Sequence, residues 1–133
     1  MIKLDEKQWN LLLEKYCGFH DALMIVQRVS WNLLRQTHIA DVYLDITSCH
    51  HKVKEEPIAH FRFLDVKSCR FGVVPNKTDC VVYNMHAWWQ SKQIIVDLTN
   101  GSDFIGPPTD HEIETELDIM VCKEISFELC SAM

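Results

Sequence analysis

Three short stretches carry side chains able to move a proton or hold a metal: His20-Asp21, Cys49-His50-His51 and Asp110-His111-Glu112. An imidazole beside a carboxylate is the usual acid–base pair, and histidine, cysteine and carboxylate are the donors that zinc takes. Spacing argues against both uses. Zinc sites are written as CxxC or HxxxH pairs, because ligands one helical turn or one strand step apart can meet on one ion. None of the three stretches has that pattern. Adjacent residues on an extended strand face opposite sides, so His20 and Asp21 converge only if the backbone kinks. The expectation is a structural role, with either side chain bonding a nearby amide and fixing how a helix lies on a sheet. No metal and no cofactor are expected. A thiol and an imidazole far apart in sequence could still pair as a nucleophile. However, no nucleophile elbow or phosphate-cradling loop is written, and glycine occurs only four times.

Trp88-Trp89, flanked by His86 and Gln90, is a candidate of another kind. Two consecutive tryptophans on a strand face opposite sides, so one is expected in the core and the other either exposed as an anchor for a partner or covered by the helix and the loop from Ser102. Trp88, Trp89, His86, His20 and Asp21 are therefore the candidate binding residues.

The elements that must position these groups follow from periodicity. Asp5 and Gln8 are spaced for a capping box, with Leu4 and Trp9 placed to staple the start of a helix. Trp9, Leu12, Leu13 and Tyr16 then form one apolar face, and Gly18 suits the left-handed residue that ends such a helix. From Leu23 the period becomes two: Leu23, Ile25, Val29, Trp31 and Leu33 are expected on one face of a strand. The Phe19-His20-Asp21-Ala22 segment sits at that handover.

Arg35 to His38 reads as a turn, and Val42, Leu44 and Ile46 alternate with Asp41, Tyr43 and Asp45 in the returning strand. A polar connection from Cys49 to Pro57 leads to a strand carrying Phe61 and Phe63, whose phase slips at Leu64-Asp65-Val66 as at a bulge. Cys69, Phe71 and Val73 resume on a new element, and Pro75 to Thr78 turns the chain. Val81, Tyr83 and Met85 mark a strand running into Trp89, and Ile94, Val96 and Leu98 mark the next. Ser102 to Asp110 is the most loop-like stretch and a candidate binding loop; Thr109 and Glu112 can cap one helical turn after it. The last apolar alternations, Leu117 to Val121 and Ile125 to Leu129, are two short strands or one bent strand.

The fold class that results is α+β: an N-terminal helix followed by a mostly antiparallel, curved or sandwich-like β-sheet. The 133 residues suit a single domain over 1–133. A net charge of −6 with no basic stripe excludes a nucleic-acid binder and suits a basic partner. No signal-like leader and no apolar run of about 20 residues are present, so no membrane association and a cytoplasmic location are expected. In that compartment six scattered cysteines without a CxxC pair are expected to be reduced.

Phe19-His20-Asp21-Ala22 opening a strand after a short helix, followed by Phe61-Arg62-Phe63-Leu64-Asp65-Val66 and a terminal Ile125-Ser126-Phe127-Glu128, resembles small bacterial domains bearing a Phe-His-Asp signature. Some of those are grouped with the immunity proteins of toxin systems. The resemblance implies a non-enzymatic protein-binding domain that blocks a toxin, and a basic toxin surface would match the acidic charge. The alternative is a small hydrolase or metal-binding protein using His20 and Asp21 with a cysteine or histidine partner. A homo-oligomer formed through exposed sheet edges is a further possibility.

Overall fold

The first helix starts where a side chain replaces a missing backbone partner. In the computed structural model, which describes residues 1–47, 49, 56–69, 81–82, 84–98, 106–116 and 118–131, helix α1 spans Glu6–Lys15. The Asp5 carboxylate accepts from the Gln8 amide at 2.7 Å, and the Asp5 amide donates to Gln8 Oε1 at 2.9 Å. Glu6 in the first turn and Lys15 in the last complement the helix dipole. The expected apolar face is the buried one: Trp9 and Tyr16 are in the core, and Leu12 and Leu13 pack against it. Strand β1, Ile2–Leu4, precedes this helix. At three residues it is too short to announce itself by alternation.

After α1 the chain turns through an unusual backbone. A 3-10 turn covers Cys17–Phe19, and φ is 52° at Cys17, 68° at Gly18, 58° at Phe19 and 70° at Asp21. Each non-glycine residue in that region costs about 1–3 kcal/mol unless its surroundings hold it. They do. The Phe19 ring is buried, stacked on Tyr16 at 5.1 Å and edge-on to Phe61 at 5.2 Å. The Asp21 amide donates to the Val82 carbonyl, the Val82 amide to the Ala22 carbonyl, and the Met85 amide to the Gly18 carbonyl, at 2.9, 2.8 and 3.1 Å. A methyl group on Gly18 would stand 2.6 Å from Asn84 Oδ1. Gly18→Ala is expected to lower unfolding free energy by about 1–2 kcal/mol, from the left-handed backbone and a displaced Asn84. Urea denaturation measures it.

Two antiparallel sheets follow. Strands β2 (Leu23–Asn32), β3 (Thr37–Asp45), β4 (Ile58–Val66) and β9 (Glu124–Cys130) join β1 in the order β1-β9-β4-β3-β2. Strands β5 (Ser68–Cys69), β6 (His86–Gln90), β7 (Gln93–Asp97) and β8 (Ile119–Cys122) form the second sheet, in the order β5-β8-β7-β6. The chain passes between sheets at two single-residue corners that bond each other's strands. The Lys67 amide donates to Val121 O at 2.8 Å, and the Lys123 amide to Leu64 O at 3.0 Å. The last alternations are thus two strands in different sheets.

One core lies between them. Ala40, Val42 and Leu44 of β3, Ala59, Phe61 and Phe63 of β4, and Ile125 and Phe127 of β9 meet Ile94, Val96, Met120 and Cys122 of the second sheet. Trp9 joins all three layers, lying 5.8 Å from Phe61 and 6.2 Å from Trp89, edge to face in both cases. A smaller cluster of Ile95, Ile119 and Val121 forms on the outer side of the second sheet. Trp88 and Ile113 of the short helix α2 (Asp110–Thr115) pack on it. Thr109 and Glu112 make the expected capping box of α2.

The strand readings need three adjustments. The register between β2 and β3 shifts between Met24 and Val26, so Leu23 pairs with Asp45 while Val29 and Trp31 pair with Ala40 and His38 on the other side. Leu23 and Val29 therefore do not share a face. The strand expected from Val81 appears as a single bridge, Leu23–Val81, and β6 begins at His86. The turn of the β2–β3 hairpin lies over Leu33 to Gln36, two residues before the position expected. The slip at Leu64-Asp65-Val66 is a bulge: His38 pairs with Val66 and Ala40 with Phe63, and Asp65 has φ 55°. His50, His51, Phe71, Val73, Tyr83, Leu117 and most of the loop from Ser102, for which the sequence sets expectations, lie outside the described residues.

Candidate functional site

Strand pairing assembles a group of ionisable side chains that no local motif encodes. Asp41 of β3 pairs with Arg62 of β4 and with Arg28 of β2, while His60 of β4 pairs with Tyr43 and with Glu128 of β9. Cross-strand partners share a face, so all six project from the side of the first sheet opposite the core. Asp41 and His60 are nonetheless buried, at 2% and 3% exposure. Asp41 Oδ1 accepts from His60 Nε2 at 2.7 Å and from Arg62 Nε at 2.9 Å, and Arg28 stands 3.8 Å from Oδ2. The other imidazole nitrogen, Nδ1, meets Glu128 Oε1 at 3.0 Å. Tyr43 lies flat on the ring, 4.0 Å between centroids and 9° between planes.

This environment sets the charge on Asp41. Burial alone would raise its carboxyl, but the hydrogen bonds from Arg62 and His60 and their positive charge outweigh it and hold the carboxyl below its ordinary range. A buried carboxylate kept ionised in this way is a structural anchor, and it fixes both the position and the rotation of the His60 ring. With both ring nitrogens bonded and one face covered by Tyr43, His60 has no free edge to offer a substrate as a general base.

The residues expected from sequence sit elsewhere. The kinked backbone does bring His20 and Asp21 together, with Nδ1 3.1 Å from Oδ2, and the two side chains are half-exposed. Cys49 is buried, and its thiol is pushed up to about 11, first by burial and then by the negative charge of Asp21, Cys17 and Asp45. A thiol so raised is not a thiolate at neutral pH, so Cys49 is not an activated nucleophile. Cys69 and Cys122 are each pushed up to about 12, again by burial first. In the native protein at pH 8, alkylation is expected at exposed Cys17 well before Cys49, Cys69 or Cys122, as peptide mass spectrometry would read.

His86 and Trp88 share the outer face of the second sheet, stacked at 5.8 Å, and Trp88 is half-buried over Ile95, Ile119 and Val121. Trp89 points the other way, against Trp9. One tryptophan thus faces inward and the other outward, as alternation requires. Asp110, His111 and Glu112 lie in the first turn of α2, where Glu112 serves the cap.

Sequence reasoning missed a second feature, an edge strand carrying exposed apolar side chains. β2 is the last strand of its sheet, and among the described residues only the Leu23–Val81 bridge meets its outer edge. Ile25 and Val29 are each 44% exposed, Trp31 54%, Leu33 78% and Leu34 97%. Trp31 stands edge-on to His38 at 4.9 Å, beside a cleft of about 170 Å³ lined by Val29, His38, Val66, Lys67, Ser68 and Cys69. Arg35 and Thr37 bind the two oxygens of Asp65 at 2.5 and 2.8 Å, which ties the hairpin tip to the β4 bulge. The signal was present in sequence, since apolar residues continue through the turn at Leu33-Leu34, where a hairpin tip is ordinarily polar.

Fold and site define an α+β protein of two open antiparallel sheets, with a buried ionic cluster on one face and an apolar strand at one edge. No protein-family model, curated protein or solved structure matches the chain. No helix among the described residues is long and apolar enough to cross a membrane.

Proposed function

We propose that this chain is a non-catalytic, cytoplasmic protein-binding domain that takes a basic partner protein along the outer edge of β2. The observation that supports this reading is the set of exposed apolar side chains Ile25, Val29, Trp31, Leu33 and Leu34 along that edge strand and the turn after it. Single exposed apolar residues are ordinary, but a ten-residue edge strand that carries several of them is an association surface unless something covers it. A partner segment adding a strand to β2 would satisfy its outer amides and carbonyls, while Trp31, Leu33 and Leu34 supply the apolar anchor. The net charge of −6 favours a basic partner and speeds encounter with it. The resemblance to Phe-His-Asp domains agrees with an immunity-type role in which that partner is a toxin domain. A second copy of the chain pairing β2 with β2 is the competing occupant.

The test uses the full chain as bait in host extract, comparing wild type with Trp31→Ser/Leu34→Ser and with Trp88→Ala, alongside sedimentation of the bait alone. The expected result is a monomeric bait and a basic protein that can be purified and titrated. Its affinity falls at least about tenfold with the β2 variant and with added salt. A bait that dimerises through β2, or a partner whose affinity the β2 variant leaves unchanged, overturns the proposal.

A further inference from the structure

The buried cluster has an unfinished outer side. Glu128 faces His60 across the β4–β9 pair, and Cys130, two residues further along β9, projects from the same face opposite Ile58. His60 Nδ1, a Glu128 carboxylate oxygen and Cys130 Sγ all lie within 4.8 Å of one another. We infer that these three atoms form a binding site for a divalent, borderline-soft metal ion of the zinc class, with Asp41 as the residue that orients the histidine.

Four features of the geometry lead to this. The first is the outer partner of the ring. Histidines that ligate metals nearly always donate their second ring N–H to a carboxylate, which fixes tautomer and orientation. Here Nε2 meets Asp41 at 2.7 Å, Asp41 is itself held by Arg62, and Tyr43 clamps the ring face. The atom left aimed at Glu128 and Cys130 is therefore Nδ1.

The second is the donor set. One imidazole nitrogen, one carboxylate oxygen and one thiolate suit zinc or cobalt, whereas magnesium and calcium take oxygen alone.

The third is the fit. Bonds of about 2.0–2.3 Å around a tetrahedral ion put donors roughly 3.5 Å apart. No donor pair therefore needs to close by more than about 1.3 Å, and the Nδ1–Oε1 pair, at 3.0 Å, opens slightly.

The fourth is access. Asp41 and His60 are sealed, but the Glu128 side chain is 40% exposed and Cys130 is half-buried, so an ion can enter from solvent and keep a water as fourth ligand.

Binding is a balanced exchange. The bond between Nδ1 and Glu128 Oε1 opens, and the proton it holds passes to solvent together with the thiol proton of Cys130. The ion gains nitrogen, carboxylate and thiolate ligands. Sequence spacing hides the site, because His60 and Glu128 are 68 residues apart and meet only through strand pairing.

The full-length protein, stripped with chelator, is titrated with Co²⁺ and read in the near-ultraviolet and visible. The expected result is one equivalent bound, with a thiolate-to-cobalt charge-transfer band that Zn²⁺ abolishes, and a thermal midpoint raised by Zn²⁺. Cys130→Ser removes the band, Glu128→Gln weakens Co²⁺ binding at least about tenfold, and Cys17→Ser changes neither. Asp41→Asn, which touches no metal, is expected to weaken binding about 10–100-fold with the band retained at saturation. His60 is sealed in the fold, so the half-exposed Glu128 and Cys130 carry the test. Absence of a thiolate band in wild type, or a band that survives Cys130→Ser, overturns the inference.

Discussion

Asp41→Ala is expected to remove about 3–5 kcal/mol of folding stability, the range for breaking a buried charge pair from one side. Arg28 and Arg62 are 58% and 40% exposed in their side chains and can return to water, but His60 is 4% exposed and cannot. The variant strands His60 with only the half-exposed Glu128 as partner and leaves Nε2 without an acceptor in a dry site. Because the folded-state carboxyl is held below the unfolded value near 3.8, the unfolded chain binds more protons there as pH falls. The Asp41 contribution is thus complete above about pH 4 and is lost as pH drops through the lower folded value. Denaturant melts of chelator-treated wild type and Asp41→Asn, taken from pH 6 downward, should converge in the acid range. Parallel curves would contradict this account of the cluster.

Trp9→Ala is the second large effect, again about 3–5 kcal/mol. Trp9 is fully buried and touches Phe61 of the first sheet and Trp89 of the second, so it is where the helix closes the space between them. Removing the indole leaves a cavity that two hydrogen-bonded sheets and a capped helix cannot easily collapse. Trp88→Ala should cost clearly less, since Trp88 is half-buried on the smaller outer cluster. Urea unfolding of both variants measures the difference, and equal losses would contradict the placing of Trp9 at the centre of the main core and Trp88 on the smaller outer cluster.

The same contrasts show what was legible in the sequence. Asp5 with Gln8 and Thr109 with Glu112 read correctly as helix starts, because capping is local chemistry at fixed offsets. Val42, Leu44, Phe61, Phe63, Ile125 and Phe127 read correctly as core, because central strands with one covered face alternate cleanly. β2 did not, for two reasons: a bulge reversed its faces at Ile25, and Leu23, Ile25, Val29 and Trp31 are exposed rather than packed in the core. The turn at Cys17 to Asp21 gave only Gly18 as a cue. Its other left-handed residues are held by tertiary contacts through Phe19 and Val82, which local preference does not encode. His60, Asp41 and Glu128 read as ordinary polar strand positions, and only the pairing of three strands makes them a cluster.

The central claim is that β2 is the docking edge. Its most direct test places a photo-crosslinking amino acid singly at Trp31, Trp88 and Glu6 in the full chain within the host, followed by irradiation and identification of the adducts. One discrete heterologous adduct, to a basic protein, is expected from position 31 and none from position 6 or 88. An adduct from position 88 with none from 31 would contradict that claim and return the anchor to the outer face of the second sheet.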